Sequence, residues 1–348
     1  MYFLDNLNPQ GAVQLLVPEL SPIIQLRYRL LQTIAVSGPI GRRTIIDTLN
    51  ISERTVRNEI TVLNNQKLIE TTQKGMICTS KGYEILEGLK ETFQLVSGLS
   101  LKEKQLENTL GIKKVVIVPG NVNDENGSQG LIGKEASDYL MSIAKKNQTV
   151  AITGGSTVAA LTNFLTPTKA LSGLTFVAAR GSLGNEMSLQ ANTLVSQFAS
   201  KCSAEFRTLY LPENLSENAF AMMIKEPIVK EVLDFYDDID IVVHGIGNAV
   251  EMAYRRDTSD EIITMLNEKN AVGEAFGYYF NELGEIIYRI NTIGIQLEQV
   301  KQSPHIIAVA GGTQKAKAIL AYFKNDTAKQ TVLITDEGAA NAILESDF

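Results

Sequence analysis

The stretch Val150–Leu161, VAITGGSTVAAL, constrains the fold of this chain more than any other. A short apolar run stops at Gly154-Gly155, two hydroxyls follow at Ser156 and Thr157, and good helix formers begin. That punctuation predicts a strand, a tight turn and a helix N-terminus. Paired glycines let backbone approach a ligand closely, and the amides of a first helical turn favour an anion. The same residues would equally serve an ordinary strand-to-helix connection with a serine cap. A second stretch, AGGTQK at 310–315, has the same shape. Two anion-binding turns on one sheet could hold one ligand with two phosphates.

From Lys113 onward the pattern repeats. Strands are predicted at 115–118, 150–152, 174–178, 206–211, 241–243, 306–310 and 332–334, most of them followed by a helical segment. Apolar strands that do not alternate, separated by helices, predict a parallel sheet covered on both faces, with ligands at the carboxyl ends of its strands. The glycine-rich turns all fall there. Lys315 lies in the first turn of its helix, where it could reach phosphate as a point charge, and Arg180 closes another strand with a fork suited to phosphate.

Other chemistry-bearing residues read less sharply. His244 follows a strand and could be a base, although a hydrogen-bonded structural histidine fits as well. His305 precedes a strand at the surface. With two histidines, and with Cys78 and Cys202 far apart, neither a His/Cys metal site nor a disulfide is expected. Asp336-Glu337 opens the final helix, where acids suit the helix dipole. No run is apolar enough to span a bilayer, and the first residues lack a signal-peptide pattern. A cytoplasmic protein is the expectation.

The N-terminal part differs in charge. Residues 21–90 carry ten basic against six acidic side chains, a net of +4, while the whole chain is at -7. A basic module on an acidic one suits a polyanion reader. Helices are predicted at 26–36, 42–49 and 53–66, the last capped by Ser52. Val56, Ile60 and Leu63 form its inward stripe, and Arg54, Arg57, Asn58 and Thr61 share another face. Short helix, turn, and helix with Arg and Asn outward is the helix-turn-helix pattern. LIETTQKGMICTS at 68–80 then reads as a β-hairpin wing. Arg42, Arg43, Arg54, Thr55, Arg57, Asn58 and Thr61 are the candidate DNA contacts. A helical stripe from Tyr83 to Val96 follows, then a capping box of Ser100 with Glu103 opens a helix ending near Gly111. Its apolar stripe exceeds what a solvated spacer needs and could pack on a partner subunit. The expected division is a DNA-binding domain with an N-terminal arm at 1–90, a helical linker at 91–111 and an effector domain at 112–348.

The segments GPIGRR (38–43), ISERTVRNE (51–59), TGGST (153–157), ARGSLG (179–184), KEPIVKEVL (225–233), VHGIG (243–247), EAFGYYFN (274–281), IIAVAGG (306–312) and VLITDEGAA (332–340) closely resemble the SorC-type bacterial sugar-responsive regulators. The match runs from about residue 25 to the end and is strongest with the glycolytic branch of that family. It implies a winged helix-turn-helix joined to a Rossmann-like, sugar-phosphate-isomerase-like effector domain. It also implies a repressor of the operon containing glyceraldehyde-3-phosphate dehydrogenase, relieved by fructose 1,6-bisphosphate, with no cofactor. Operator double-stranded DNA and a second copy of the chain would be its partners, in a dimer or a tetramer on DNA, with no membrane role. Carried onto this chain, Gly154, Gly155, Ser156 and Thr157 would bind phosphate, and Arg180 and Lys315 would add charge. Gln190, Arg255 and Glu274 would contact the sugar or couple binding to a dimer interface. Ser156 departs from a threonine in that branch, but the hydroxyl survives. Sugar-phosphate isomerases and deaminases share the turn but need an Asp-Gly-His segment where this chain reads HGIGNAVEMA, so a pocket that binds without reacting is implied. A regulator of another sugar pathway, or a sugar-phosphate enzyme with an ancillary DNA domain, are the alternatives.

Overall fold

The computed structural model describes residues 16–124, 126–182, 186–211, 215–325 and 329–346, with backbone alone for Asn126. The arm expected at the N-terminus lies outside the described residues up to position 15. The first helix, α1 (Leu20–Ser37), begins earlier than the sequence pattern suggested. It is followed by α2 (Arg42–Leu49) and α3 (Glu53–Asn65), whose Ser52 side chain accepts from the Thr55 amide at 3.1 Å. Val56, Ile60 and Leu63 point into a core with Leu30, Ile34 and Ile45, leaving the opposite face of α3 to solvent. Strands β1 (Ile69–Thr72) and β2 (Gly75–Cys78) pair as the wing, and Ile40 bridges Met76 to extend it.

Helix α4 (Ser80–Ser97) returns across the head, its Phe93 ring stacked on Tyr28 at 4.2 Å. After Gly98, whose φ of 76° ends α4, comes α5 (Leu99–Leu110). The Ser100–Glu103 capping box does not form: α5 has no side-chain cap. Glu103 instead accepts the Ile117 amide at 2.9 Å, and Glu107 the Val115 amide at 3.2 Å. A carboxylate gains more from an unpaired strand amide than from a cap that solvent could supply. The apolar stripe of this region packs only partly within the chain: Leu86, Phe93, Val96, Leu99, Leu106 and Leu110 are buried, while Tyr83 and Leu89 are exposed.

The second half is a seven-stranded, wholly parallel sheet of β3 (Lys114–Val118), β4 (Thr149–Ile152), β5 (Thr175–Ala178), β6 (Glu205–Arg207), β7 (Ile241–Gly245), β12 (His305–Val309) and β13 (Thr331–Asp336). Its order is β3-β13-β12-β7-β4-β5-β6. The chain winds outward from β4 to β6, then reverses through β7, so the switch point lies between β4 and β7. Ligands of such sheets bind in the crevice that opens there. Among the flanking helices, α6 (Asn126–Ile143) follows β3, α7 (Ser156–Leu161) follows β4, and α8 (Ala191–Cys202) follows β5. Helices α9 (Glu217–Met223) and α10 (Pro227–Tyr236) precede β7.

A smaller antiparallel sheet gives only a weak signal in the sequence, where the small and aromatic residues at 271–281 suit a strand or loop. It comprises β8 (Gly247–Asn248), β9 (Ala271–Ala275), β10 (Tyr278–Asn281) and β11 (Ile286–Arg289), in the order β11-β10-β9-β8. It carries its own cluster of Ala249, Ala253, Ile263, Leu266, Tyr279 and Ile290 with α11 (Ala249–Arg255) and α12 (Asp260–Glu268). Helix α13 (Leu297–Gln302) leads to β12, α14 (Ala316–Lys324) to β13, and α15 (Glu337–Leu344) ends the fold. The predicted strand at 206–211 shrinks to Glu205–Arg207, because Leu209 leaves the ladder for the Asn192 side chain. Among the described residues no helix is long and apolar enough to cross a membrane.

Candidate functional site

At the switch point lies a cavity of about 650 Å³, within the range of small-molecule sites. Every residue proposed from the sequence for this pocket lines it: Gly154, Gly155, Ser156, Thr157, Arg180, Gln190, Arg255, Glu274 and Lys315. The strand ends converge there because the parallel sheet brings all its carboxyl edges to one side.

The first turn is built for close approach. Gly155 has φ +118°, a region L side chains rarely adopt, and a Cβ on Gly154 would meet the Leu189 carbonyl at 2.5 Å. The Gly155 amide is spent on that same Leu189 carbonyl, at 2.9 Å. Among the described residues the amides of Ser156, Thr157 and Val158 have no acceptor. Helix α7 has only six residues, so these amides matter more than a summed dipole.

The second turn differs. Gly312 has φ +98°, and its amide donates to the Asp336 carboxylate at 2.8 Å. The Thr313 amide donates to Asn121 Oδ1 and the Gln314 amide to Asn123 Oδ1, both at 3.2 Å. The Lys315 amide closes a 3₁₀ turn on Gly312 O, so α14 starts at Ala316, three residues later than the helix after the first turn would place it. The Gly312, Thr313, Gln314 and Lys315 amides are already engaged, and this turn meets the cavity through Gly311, Gln314 and Lys315. The symmetric pair of phosphate cradles read from the sequence is therefore not what the backbone offers.

Lys315 is half-buried beside the cavity with no carboxylate at ion-pair distance among the described residues. Burial holds its ammonium below the usual lysine range; Glu251 and Asp336 oppose the shift and Arg255 adds to it. Arg255 is exposed and pairs with Glu251 at 2.8 Å along α11. The neighbouring Arg256, which the sequence reading passed over, turns inward to Glu274 at 2.9 Å and to the Tyr279 hydroxyl at 3.1 Å. Arg180 reaches the same Glu274 oxygen at 3.4 Å, and the Gly277 amide donates to it at 2.6 Å. Burial alone would raise the Glu274 carboxyl, but Arg256, Arg180 and that amide hold it below its usual range. Glu274 is thus the buried counter-charge shared by Arg180 at the cavity wall and Arg256 behind it. Helical phase at Arg255-Arg256 was the one sequence signal that could have separated their roles.

His244 is wholly buried. Its Nδ1 lies 3.0 Å from Gly245 O, and its ring packs on Phe276 and Tyr322. Burial pushes its pKa down to about 4, and it does not line the cavity, so it is a neutral, hydrogen-bonded core residue. His305 opens β12, half-buried, and is lowered by burial and by Lys113 and Lys145.

On the head, Arg42, Arg43, Arg54, Arg57, Asn58 and Thr61 are exposed, and Thr55 is half-buried at the α3 cap. Arg57 pairs with Glu53 at 2.9 Å, both solvent-facing, a contact that a phosphate or base could replace at small cost. Glu59, on the inner side, ties α3 to α1 through Arg27 at 2.6 Å.

Residues 23–93 match the family described as "CggR N-terminal DNA binding domain", and residues 95–345 match "Putative sugar-binding domain". The chain is 41% identical to the central glycolytic genes regulator of Bacillus subtilis (strain 168), over 97% of this chain and 98% of that one. The chain belongs to the central glycolytic genes regulator family. Its members here are SorC-type transcriptional regulators with a DNA-binding domain and a sugar-binding domain, not enzymes, which removes the sugar-phosphate enzyme as an alternative. The transcriptional regulator LsrR of Escherichia coli (strain K12) is more distant, at 28% identity over 86% of this chain and 91% of its own. Among solved structures, the "putative SorC family transcriptional regulator" from Enterococcus faecalis superposes with a TM-score of 0.66 and 39% identity, covering 70% of this chain and all of its own. The full-length sorbitol operon regulator SorC from Klebsiella pneumoniae covers 93% of this chain and all of its own, with a TM-score of 0.63. At 18% identity it speaks to the fold alone.

Proposed function

We propose that this transcriptional regulator is a repressor of central glycolytic genes, including the glyceraldehyde-3-phosphate dehydrogenase operon, released from its operator by fructose 1,6-bisphosphate. The observation that carries the reading is the first glycine turn. Its three amides, at Ser156, Thr157 and Val158, have no acceptor among the described residues, and the turn shares one cavity with the half-buried Lys315. An anion suits the amides and a second anion suits Lys315 with Arg255, so a doubly charged sugar phosphate answers both ends of the cavity. Gln190 and the Arg180–Glu274 wall would then meet the sugar between them. Arg54, Arg57, Asn58 and Thr61 would face the major groove, with Arg42 and Arg43 on phosphates and Thr55 beside them.

Release is linkage. If the bisphosphate binds the weakly gripping state better, operator affinity falls by about 1–3 kcal/mol in its presence. Two copies would read the two halves of an operator, as dimers do, with a tetramer on DNA as the larger assembly. The test is operator binding by the full chain with and without fructose 1,6-bisphosphate, beside fructose 6-phosphate and glucose 6-phosphate. Release by the bisphosphate at the lowest concentration supports the reading. Release by a monophosphate alone would assign the chain to another sugar pathway.

A further inference from the structure

The second glycine turn holds an anion that belongs to the protein. Asp336 is wholly buried, and its carboxylate accepts from three amides: Val122 at 2.6 Å, Gly312 at 2.8 Å and Ala339 at 2.8 Å. Only the last of these is the helix cap expected from the sequence. The other two join segments far apart in the chain, the second turn and the loop that follows β3. Asn121 and Asn123 strengthen the join from the loop side through the Thr313 and Gln314 amides. Val122, Asn123, Gln314 and Lys315 all line the cavity, so whatever fills it presses on this joint.

The loop precedes α6 in the chain, and α6 packs against the reading head. A Cβ on Gly130 would come within 2.6 Å of the Val36 side chain of α1, and one on Gly127 within 3.0 Å of Thr48 of α2. Glu135 of α6 pairs with Lys90 of α4 at 2.6 Å, in a half-buried setting. The linker helix α5, which follows the head, holds the other end of the same unit, since its Glu103 and Glu107 clasp the outer edge of β3. Strand β3, the 119–124 loop and α6 thus lie in series between cavity and head. Close packing lets such a series pass on a displacement.

We propose that Asp336 is the positioning residue that couples the effector cavity to the DNA-reading head, by lashing the 119–124 loop and α6 to the second glycine turn. The inference rests on the cavity being the effector site. A cavity ligand shifts the second turn, the shift passes through the Asp336 joint to α6, and the packed faces at Gly130 and Glu135 transmit it to α1, α2 and α4.

The test uses the full chain with Asp336→Asn, and with Asn121→Ala in case the first variant fails to fold; Glu135→Gln cuts the same path at the head. Asn at 336 turns one of two acceptor oxygens into a donor, so it cannot serve all three amides. Two readouts are taken. The first is hydrogen exchange without ligand, where Asp336→Asn or Asn121→Ala should speed exchange in 119–143 and in the facing parts of α1 and α2. The second is operator affinity with and without fructose 1,6-bisphosphate. There each variant should keep operator affinity without ligand, and the ligand-induced change should shrink by about fivefold or more. Pairing Asp336→Asn with Glu135→Gln should lose little more than either alone, as for links in series. Should wild type ignore the bisphosphate while the exchange response appears, the effector assignment fails and the coupling path stands. Unchanged exchange at the head, or an undiminished ligand response in folded variants, overturns the proposal.

Discussion

TGGST at 153–157 and AGGTQK at 310–315 are near twins in sequence, and both open from the same parallel sheet onto one cavity. In the first, the amides of Ser156, Thr157 and Val158, all cavity-lining residues, have no acceptor among the described residues. In the second, the corresponding amides of Thr313, Gln314 and Lys315 go to Asn121, Asn123 and the Gly312 carbonyl. One turn is open to an outside anion and the other is closed by the chain's own acceptors. A glycine turn specifies where donors point; which acceptor meets them is decided by segments remote in sequence.

The largest perturbation of this contrast is Glu274→Gln. It leaves Arg180 and Arg256 buried beside each other with their shared counter-charge gone, at a cost of about 3–5 kcal/mol. Chemical denaturation should show it, and the arginines would then compete with the first turn for phosphate. An unchanged midpoint would mean that the pair does not depend on Glu274. Lys315→Met is expected next. Fructose 1,6-bisphosphate binding should weaken about 10–100-fold by calorimetry, roughly 1.4–2.8 kcal/mol. Thermal stability should hold or rise, because a half-buried ammonium without an ion-pair partner is removed. Undiminished binding would place the second phosphate away from this helix.

Alanine in each turn compares the two directly. Both glycines sit at positive φ, so each substitution strains the backbone by about 1–2 kcal/mol. A Cβ at 155 enters open space, whereas one at 312 would lie 2.6 Å from Asn123 Oδ1. Gly155→Ala should therefore lose mainly ligand affinity, and Gly312→Ala should melt at the lower temperature of the two. The reverse order would erase the distinction between an open and a closed turn.

The smallest effect is one of pH. Burial pushes the Glu103 carboxyl up to about 7; the Ile117 amide and Lys114 oppose this, while Glu107 and Glu135 add to it. The folded chain then keeps this proton longer than the unfolded chain does, so stability falls as pH rises from about 4.5 to 7 and levels off above. Allowing for partial solvent screening, the change is on the order of 1 kcal/mol. Glu103→Gln should remove that slope while keeping the Ile117 contact. The difference between the two proteins isolates this group from His244. That ring's pKa of about 4 acts in the opposite sense, costing stability as pH falls below about 6.5. Parallel melting curves for wild type and Glu103→Gln from pH 5 to 8 would show that α5 does not clasp β3 through this carboxyl.

Local order spoke clearly in the residues themselves. The helix-turn-helix, its wing and the Ser52 cap follow from apolar stripes and turn chemistry within a few positions, and α2 fell on the predicted span of 42–49. The parallel sheet was legible because strands buried on both faces read as unbroken apolar runs, as at Val115–Val118 and Ile306–Val309. With the sheet came the cavity, since every strand-end residue proposed for it had to arrive at the same edge. The four-stranded antiparallel sheet was only faintly legible because its strands are short and lie among small and aromatic residues that give no clear period.

Sequence alone thus determined the two modules, the cavity's place at the strand ends and its basic lining, because each depends on neighbours in the chain or on burial pattern. Only the tertiary structure decided that Arg256 rather than Arg255 meets Glu274, that Glu103 holds a strand rather than a cap, and that Asp336 fills the second turn. Each of those is a buried polar group choosing its partner, and that choice depends on which distant donors and acceptors the packed fold brings within 3 or so Å, a distance no local pattern encodes.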